Sequence, residues 1–586
     1  MDDVLRRYKQ LDYRLPATTL AWHMYEAGVE NFGRDGKPTD LPFPVARRDE
    51  VVARVDAIGI CFSDVKLITQ GSAHPRVFGR DLKANPVTPG HEVSITIVSV
   101  GEDLKDKFRP GERYTVQADV YYKGVNLAYG YALTGGMTQY EVIGEEILRG
   151  DAGCYLLPVK SETGYAEAAL TEPWACVVGA YRIQHRETLK DGGVALFVEV
   201  GDCNCDELTL SRGIDRASHP AKVILSGVCG RLRDSLASAA KELGIELIET
   251  GPLNEATLTP LAQERTGDRG FDDIVLLGVP SPEQIEMYSA KLAKGGTLAV
   301  IAQAGMSGEA QIDVGRVHYD GISFVGTSSR DIADAYKRAR MSEMKKGGSA
   351  WFVGAAGPMG QMHVQLAVES EDGPGRILAT DIDNVRMQAL RDLVEEKARR
   401  RGIDIRFINP KEEGQEAVDR AISELTEGRG FDDVVLLAPI PFPIPEVIAN
   451  LAEGGVLNIF AGLARGTRIG IDLSPFWTRN VRMVGSSGSS IGDLRDTLSR
   501  AESGRLSTNL SVAAIGGIDA LGDGVKGVKE NRFTAKTVIF PQIELPLTAV
   551  PDLKNVLPNV YARLQDGRYW TKEAEEELLR TKLELD

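Results

Sequence analysis

The segments TGDRGFDDIVLLG (266–278) and TEGRGFDDVVLLA (426–438) are two near-copies of one stretch within this 586-residue chain. In both, a glycine-containing turn precedes an apolar run that is typical of a buried β-strand. Since the same stretch occurs twice, the chain contains an internal duplication, and its fold must include a unit that is built twice.

Three further pairs of segments extend the duplication. KDGGVALFVEVGDCNC (190–205) aligns without gaps on KKGGSAWFVGAAGPMG (345–360), LAKGGTLAVIA (292–302) on LAEGGVLNIFA (451–461), and GISFVGTSS (321–329) on NVRMVGSSG (480–488). The order is kept, so two copies of about 160 residues each span about 185 to about 505. Apolar runs alternate with amphipathic helical stretches such as 384–402, which predicts α/β domains with a doubly wound parallel sheet.

The rest of the chain has a different pattern. Residues 40–160 are rich in β-branched residues and turn signals, as in EVVARVDAIGI (50–60) and HEVSITIVSVG (91–101), and predict a β-rich domain. RFTAKTVIFPQIEL (532–545) is again strand-like, and the tail (570–585) is a predicted acidic amphipathic helix. We therefore predict a β-rich domain over 1–182, repeats over 183–345 and 346–508, and a return segment with a helical tail over 509–586.

Composition excludes several classes of partner. The net charge of −16 argues against binding to nucleic acid or to an anionic membrane surface. The N-terminus MDDVLRRYKQLDYR has no apolar signal region, and the chain has no apolar run of about 18 residues. Six scattered cysteines do not indicate a disulfide framework, so we expect a reduced, cytoplasmic setting.

Four residues form a candidate metal site. Cys61 lies in ICFSDVK (60–66), His91 and Glu92 in TPGHEVS (88–94), and Glu172 in ALTEPWACVVGAY (169–181). Thiolate, imidazole and carboxylate are the ligand types of zinc. Taken singly, each residue also has an ordinary structural interpretation. Cys61 fits a core residue, His91 fits a turn residue, and Glu172 fits a charge favoured at a helix N-terminus.

These motifs, in this order and with GGMTQYEVI (135–143), resemble the zinc-binding, GroES-like half of the medium-chain dehydrogenase/reductase family, the zinc alcohol dehydrogenases. Glu172 followed by Pro173 resembles the sorbitol dehydrogenase branch, and GPMGQMHVQ (357–365) is similar to reductases of ketose phosphates such as sorbose 1-phosphate. The resemblance covers about 40–180, both repeats and about 505–541. It implies a GroES-like catalytic domain followed by two tandem Rossmann-like domains.

The resemblance implies a role for each site residue. Cys61 and His91 are implied zinc ligands, while Glu92, Glu172 and water compete for the remaining positions. Ser63 is implied to relay the proton of the alcohol, and Asp64 to accept a hydrogen bond from the far nitrogen of His91. The family often has a second, structural zinc on four cysteines, but the corresponding lobe (116–136) has none. We therefore predict one catalytic zinc and no structural zinc.

A dinucleotide site is predicted in the second repeat, where a strand is followed by glycines that open a helix. Asp381 lies 21 residues after the last of these glycines, and a carboxylate there favours NAD over NADP. The alternative for Asp381 is a role as a turn or helix-capping residue. The resemblance implies that Lys536 is a basic contact to the pyrophosphate, and the alternative for it is a solvated lysine. The predicted cofactor-binding residues are Gly354, Gly357, Pro358, Met359, Gly360, Asp381 and Lys536.

The first repeat has lost these features. The positions of Gly354, Gly357, Gly360 and Asp381 are taken by Glu199, Asp202, Cys205 and Ser226. Carboxylates there would repel a pyrophosphate, so we predict that this degenerate copy binds no dinucleotide. Cys203 and Cys205 are compatible with a metal site, but two cysteines without further partners favour the interpretation as structural cysteines. Family dimers pair through a sheet edge of the cofactor domain. The degenerate repeat is therefore a candidate built-in partner, which implies a monomer with an internal pseudo-dimer, or else a homo-oligomer.

These observations predict a zinc-dependent oxidoreductase that transfers a hydride between NAD(H) and a secondary alcohol or ketone, on a small molecule of the polyol or sugar type. A ketose phosphate is one option, because the loop GSAHPRVFGRDLK (71–83) contains His74, Arg76, Arg80 and Lys83. The alternative for this loop is a solvated surface. Alternative functions are a zinc-free quinone or enone reductase and a non-catalytic NAD-binding assembly or regulatory protein. The substrate, the physiological direction and the oligomeric state stay open.

Overall fold

The computed structural model describes residues 2–201, 203–337 and 340–585. The chain forms two compact units, one of Met1–Gly179, Gly357–Met362 and Gly488–Asp586, and one of Ala180–Ala356 and His363–Ser487. The chain therefore enters the first unit three times, once through the short segment Gly357–Met362, which lies between two segments of the second unit. Asp202, which the sequence analysis places in the degenerate turn, lies outside the described residues.

The N-terminal part is β-rich, as predicted, with short helices between the strands. Its strands are β1 (Thr18–Ala21), β2 (Thr39–Pro42), β3 (Val51–Ile60), β4 (Glu92–Val100), β5 (Arg113–Val116), β6 (Tyr121–Tyr122), β7 (Val125–Asn126), β8 (Tyr140–Ile143) and β9 (Leu156–Val159). Its helices are α1 (Asp2–Gln10), α2 (Phe62–Gln70), α3 (Glu145–Leu148), α4 (Tyr165–Ala169) and α5 (Thr171–Ala180).

The two repeats follow. The first has β10 (Val194–Glu199), β11 (Lys222–Ser226), α6 (Gly230–Leu243), β12 (Glu246–Thr250), α7 (Glu255–Thr266), β13 (Phe271–Leu277), α8 (Pro282–Ser289), β14 (Leu292–Ile301), β15 (Ala310–Asp313), α9 (Val314–Asp320) and β16 (Ser323–Thr327). The second has β17 (Ser349–Val353), α10 (Pro358–Glu369), β18 (Arg376–Thr380), α11 (Asn384–Arg400), β19 (Asp404–Ile408), α12 (Pro410–Glu413), α13 (Gln415–Thr426), β20 (Phe431–Leu436), α14 (Ile444–Ala449), β21 (Leu451–Ile459), β22 (Arg468–Ile471), α15 (Ser474–Thr478) and β23 (Arg482–Gly485).

The C-terminal part returns to the first unit with α16 (Ile491–Glu502), β24 (Val512–Gly517), α17 (Leu521–Lys529), β25 (Lys536–Phe540), β26 (Thr548–Ala549), α18 (Leu553–Val556), α19 (Pro558–Tyr561) and α20 (Lys572–Lys582). Strands β24 to β26 complete an eight-stranded sheet in the order β26-β24-β25-β3-β4-β5-β9, with β8 on β3. Strands β3 and β25 pair antiparallel from Ile60 opposite Thr537, so the return segment supports the strand that leads into Cys61. None of the described helices combines the length and the apolar composition that crossing a membrane requires.

The second unit contains one twelve-stranded sheet, in the order β12-β11-β10-β13-β14-β16-β23-β21-β20-β17-β18-β19. Within each repeat the strands are parallel, and both halves have the strand order of a doubly wound dinucleotide-binding domain. The halves join edge to edge, where β16 and β23 pair antiparallel at Phe324 and Met483. Strands β15 and β22 form a second antiparallel pair between the repeats. The doubly wound parallel sheet predicted from the sequence is confirmed.

The repeated FDD motif makes a similar set of hydrogen bonds at the start of one strand in each half of the sheet. In the first repeat Arg186 donates to both carboxylate oxygens of the buried Asp273, and the backbone amide of Lys190 donates to the same carboxylate at 2.9 Å. In the second repeat Arg340 donates to Oδ1 of Asp433, and the backbone amide of Lys345 donates to Oδ2 of the same carboxylate at 2.9 Å. The duplicated sequence therefore encodes a duplicated buried ion pair.

A buried carboxyl group in the first unit makes stability depend on pH. Burial raises the pKa of Glu141 on β8 to about 8, although the hydroxyl of Tyr129 donates to its Oε1 at 2.5 Å. The folded state therefore keeps a proton that the unfolded chain releases near pH 4.5. Since the native state binds more protons, we expect the free energy of unfolding to fall as the pH rises from about 4.5 to about 8.

Glu141→Gln should remove this contribution, since the amide has no charge to bury. Chemical denaturation from pH 4.5 to 8.5 should show a flatter profile for Glu141→Gln than for the wild type, with Glu145→Gln, an exposed position on α3, as the matched control. Parallel profiles for the wild type and Glu141→Gln would contradict the raised pKa.

Candidate active site

Three predicted ligands meet where the first unit's central strands end. Cys61 Sγ, a ring nitrogen of His91 and a carboxylate oxygen of Glu92 all lie within 4.8 Å of one another. Cys61 follows β3 and is the N-cap residue of α2, while His91 comes just before β4. Because β3 and β4 pair antiparallel with Gly59 opposite Glu92, the end of one strand lies beside the start of the other.

Asp64 fixes both sides of this cluster. It is fully buried, and its Oδ1 lies 3.1 Å from Nδ1 of His91, while its Oδ2 accepts the backbone amide of Cys61 at 2.9 Å. Burial lowers the pKa of His91, but Asp64, Tyr131 and Cys61 outweigh it, so the pKa lies well above its ordinary value. The surroundings of the imidazole are therefore anionic, which favours a bound cation as well as a proton.

If the cluster holds zinc, as the sequence predicts, Asp64→Asn should weaken its binding by about 10- to 100-fold, since the amide cannot hold the ring of His91 with the same charge. The measurement is competition for zinc with a chelator, followed by metal analysis. Asp103→Asn is the matched control, because Asp103 makes only a partly exposed ion pair with Arg48. Unchanged zinc affinity in Asp64→Asn would contradict the positioning role.

Glu92 is paired with the return segment. Lys536 donates to Glu92 Oε1 at 2.5 Å, and both side chains are buried. The other oxygen, Oε2, is buried without a hydrogen-bond partner among the described residues, and it lies against Gly59, where a Cβ atom would come within 2.1 Å of it. Lys536, which the sequence analysis assigns to the pyrophosphate, is thus engaged with a carboxylate of the candidate metal site in this structure.

Glu172 lies in the first turn of α5 and is buried, but it is not part of the three-residue cluster. Burial raises its pKa to about 7, with His91 acting in the opposite direction and Glu92 in the same direction. His91 and Glu92 are therefore its electrostatic neighbours, and Glu172 is a further carboxylate beside the cluster. Ser63 also lies at the site, with its Oγ 3.4 Å from Cys61 Sγ.

Two residues near the cluster were missed by sequence reasoning. The ring of Tyr131 lies with its centroid 5.8 Å from that of His91, and burial raises its pKa to about 12. Cys176 lies one helical turn after Glu172, and burial followed by the charge of Glu172 raises its pKa well above the ordinary value. The four-residue spacing of Glu172 and Cys176 is the signal that places them on one face of α5.

The basic loop 71–83 is only partly free for a ligand. Arg76 makes an ion pair with Asp119 at 3.1 Å and lies 5.2 Å from the ring centroid of Tyr131. Arg80 donates to the carbonyl of Ala132 at 2.7 Å. The ring of His74 is tilted against that of Tyr131 with 5.4 Å between centroids, while Lys83 is exposed. The loop thus contributes His74 and Arg76 to the surroundings of Tyr131, whose ring also lies near that of His91.

In the second unit, Asp381 and the glycine turn are linked. Gly354 has φ +82° and lies so close to Ala438 that a Cβ atom would be 2.7 Å from its nitrogen. Asp381 follows β18, and its Oδ2 accepts the backbone amide of Ala356 at 2.9 Å, while its Oδ1 accepts that of Asp383 at 3.0 Å. Asp381 therefore makes the hydrogen bonds of a turn residue, which is one of the two alternatives to a ribose contact. It does not make the other, a helix cap, because Asp383 caps α11.

The remaining predicted cofactor residues belong to the first unit. Pro358, Met359 and Gly360 are the first three residues of α10, and they follow Gly357, around which no atom lies within 4 Å of a hypothetical Cβ. A helix N-terminus with open space before it has the features of an anion site.

Comparison with known proteins shows which family the chain resembles. Residues 47–151 match the model of the alcohol dehydrogenase GroES-like domain. L-Sorbose 1-phosphate reductase of Klebsiella pneumoniae is 30% identical over 345 residues, which are 56% of this chain and 80% of that protein. The chain belongs to the medium-chain dehydrogenase/reductase family of alcohol dehydrogenases. The sequence prediction of this family is confirmed.

Two further likenesses each cover about nine tenths of the chain. Mannitol-1-phosphate 5-dehydrogenase of Aliivibrio fischeri is 23% identical over 546 residues, 92% of this chain and 93% of that protein. The crystal structure of 2R,3R-butanediol dehydrogenase from Bacillus subtilis aligns with a TM-score of 0.50 at 15% identity, covering 89% of this chain and 99% of that one, and supports the fold alone. The chain is an oxidoreductase of the alcohol dehydrogenase type.

Proposed function

We propose that the chain is a zinc-dependent dehydrogenase that transfers a hydride between NAD(H) and a secondary alcohol group of a polyol or sugar phosphate. The cluster of Cys61, His91 and Glu92, positioned by Asp64, is the observation that carries this proposal. A cluster of this composition, with a carboxylate behind the histidine, has the chemistry of a catalytic zinc site.

The residues present fit a zinc ion. A soft thiolate, an imidazole and carboxylates are the donors that zinc takes, and Glu92 Oε2 is a buried oxygen without a hydrogen-bond partner among the described residues. Cys61 and His91 would hold the ion, with Glu92 and Glu172 as carboxylates for a further position. When bound, zinc supplies a Lewis acid that lowers the pKa of an alcohol hydroxyl.

The side chains of the chain itself perform the remaining tasks. Ser63 Oγ accepts the hydroxyl proton of the alcohol while its own hydroxyl proton passes to solvent water. Asp64 holds the imidazole of His91 in one orientation through the contact at Nδ1. Tyr131 excludes water from one side of that ring. For NAD, the carboxylate of Asp381 at the end of β18 would suit the ribose hydroxyls and disfavour a 2′-phosphate.

Two observations favour a phosphorylated substrate: an arginine lies beside Tyr131, and two relatives are named for phosphorylated substrates. L-Sorbose 1-phosphate reductase and mannitol-1-phosphate 5-dehydrogenase are both named for phosphorylated sugars or polyols. Arg76 lies against Tyr131, which in turn contacts His91, so its guanidinium is a candidate ligand for a phosphate on the substrate chain. In the absence of substrate, the ion pair with Asp119 orients the guanidinium of Arg76.

The test is turnover of hexitols, pentitols and their 1-phosphates with NAD, followed at the absorbance of reduced nicotinamide. We expect activity on a phosphorylated member, and we expect Arg76→Ala to raise KM for it by about 10- to 100-fold, because a charge-assisted bond to phosphate is lost. KM for the unphosphorylated polyol should change little. Lys83→Ala, in the same loop but exposed, is the matched control.

Equal effects of Arg76→Ala on the phosphorylated and unphosphorylated substrates would contradict the phosphate role. Absence of turnover with every member of the panel by a zinc-loaded, folded protein would contradict the proposed substrate class.

A further inference from the structure

The first repeat contains a second cluster of metal-ligand side chains, far along the chain from the candidate active site. One carboxylate oxygen of Glu199 and the Sγ atoms of Cys205 and Cys229 all lie within 4.8 Å of one another. Cys203 adds a third thiol, because its Sγ is 4.0 Å from that of Cys205. Three of the four groups thus lie within ligand distance of one another, and Cys203 adjoins them through Cys205. All three thiols are free of disulfides.

The topology of the sheet creates this cluster. Glu199 is the last residue of β10, and Cys229 follows the end of the neighbouring parallel strand β11 as the N-cap residue of α6. The carboxyl ends of adjacent parallel strands meet at one edge of the sheet, so side chains 30 positions apart become neighbours. Cys203 and Cys205 lie in the connection that leaves β10.

That connection packs closely on the start of α6. Asp206 Oδ1 accepts the backbone amide of Arg231 at 2.7 Å, and a Cβ atom at Gly230, which has φ +62°, would lie 2.3 Å from the same oxygen. The loop with two of the cysteines is therefore held against the turn with the third. This contact involves none of the thiols, so it joins the two segments independently of a metal.

The connection has little regular structure of its own. In the second repeat α10 lies between the first two strands, whereas the described residues between β10 and β11 form no helix or strand. Irregular connections of this length inside a compact domain are uncommon and need some other source of order. A metal ion that links Glu199, the loop and the start of α6 would supply it, since binding to preformed ligands adds directly to folding free energy.

We propose that Cys203, Cys205, Cys229 and Glu199 bind a structural zinc ion in the first repeat, at the place where the second repeat has its glycine turn. Four protein ligands without an open position are typical of structural zinc, and thiolates select zinc over magnesium or calcium. Zinc–sulfur bonds of about 2.3 Å in a tetrahedron place two sulfurs about 3.8 Å apart, close to the separation of Cys203 and Cys205.

This site revises the interpretation of Cys203 and Cys205 as structural cysteines without a metal, and the expectation of a single zinc. That expectation rests on the lobe at 116–136, which has no cysteine, whereas the present cluster lies in the other unit. Sequence reasoning considered Cys203 and Cys205 as a pair and had no signal that Glu199 and Cys229 lie beside them.

The test uses a chain in which the candidate active site cannot retain metal, Cys61→Ser/His91→Ala. This chain is saturated with zinc, desalted and analysed for bound metal, and is then loaded with cobalt(II) for absorption spectroscopy. We expect one equivalent of zinc per chain and, with cobalt, the intense sulfur-to-metal charge-transfer absorption of a thiolate-rich tetrahedral site.

Adding Cys229→Ala or Glu199→Gln to that chain should remove the zinc or weaken its binding at least tenfold. Cys229 is exposed, so this variant is expected to fold even if replacement of the buried Cys205 does not. Adding Cys154→Ala, an exposed cysteine of the other unit, is the control and should leave the zinc in place.

Three results would overturn the site: no zinc in the Cys61→Ser/His91→Ala chain, zinc that is insensitive to Cys229→Ala and Glu199→Gln, or a disulfide among these cysteines in freshly purified protein. None of these results depends on turnover. A protein that fails the dehydrogenase test can therefore still pass this one, and the reverse.

Discussion

Replacing Cys61 with serine is expected to remove one equivalent of zinc and to lower kcat/KM by about 10³-fold or more. The thiolate is the anionic, soft ligand of the cluster, and serine keeps its size but is a poor zinc ligand at neutral pH. The Lewis acid contributes several kcal/mol to stabilisation of the transition state, and each 1.36 kcal/mol corresponds to a factor of ten in rate.

The measurement is bound zinc and steady-state kinetics on the same preparations. Cys154→Ser is the matched control, because Cys154 is an exposed cysteine of the same unit. A Cys61→Ser protein that kept both its zinc and its turnover would remove the basis of the proposed mechanism, and turnover without zinc would favour the zinc-free reductase instead.

Replacing Arg340 with alanine is expected to destabilise the second unit by about 3 kcal/mol or more, because it leaves the carboxylate of Asp433 buried without its cation. Burial already raises the pKa of Asp433 to about 6 in the presence of Arg340, so the charge is poorly compensated. Without the guanidinium, Asp433 retains the backbone amide of Lys345.

Arg186→Ala provides a matched comparison within the same molecule. Asp273 keeps more partners than Asp433 after its arginine is removed, namely the hydroxyl of Tyr336 at 3.1 Å and the amide of Lys190. We therefore expect a smaller loss for Arg186→Ala, measured by urea denaturation of both variants, and partial recovery in Arg340→Ala/Asp433→Asn. If Arg340→Ala were as stable as the wild type, the buried ion pair would contribute nothing net.

The fold was predictable to the extent that it depends on local pattern. The two repeats, their parallel strands and the helix at Asn384–Arg400 follow from periodicity and from segments that occur twice. Sequence alone did not predict the missing helix between β10 and β11, since turn-rich sequence is compatible with either a short helix or an irregular connection.

The candidate site was predictable where its residues lie in short motifs and unpredictable where distant segments meet. Cys61, Asp64 and His91 come together because one turn and one strand pair join them. The bond from Lys536 to Glu92 links positions 444 residues apart, and no local pattern indicates it. Cys229 beside Glu199 is a similar case, because strand order in the sheet, not spacing in the sequence, makes them neighbours.

The pairing of β16 with β23 has an evolutionary consequence. In a symmetric homodimer every mutation appears on both sides of the interface, so a change that suits one subunit must be tolerated by the other. Here the two halves of the twelve-stranded sheet are encoded separately. The first half can therefore carry Glu199 and Cys205 where the second carries Gly354 and Gly360, while both keep the strands that join them. A substitution at a strand end of one half is not imposed on the other half, although both halves must still pair.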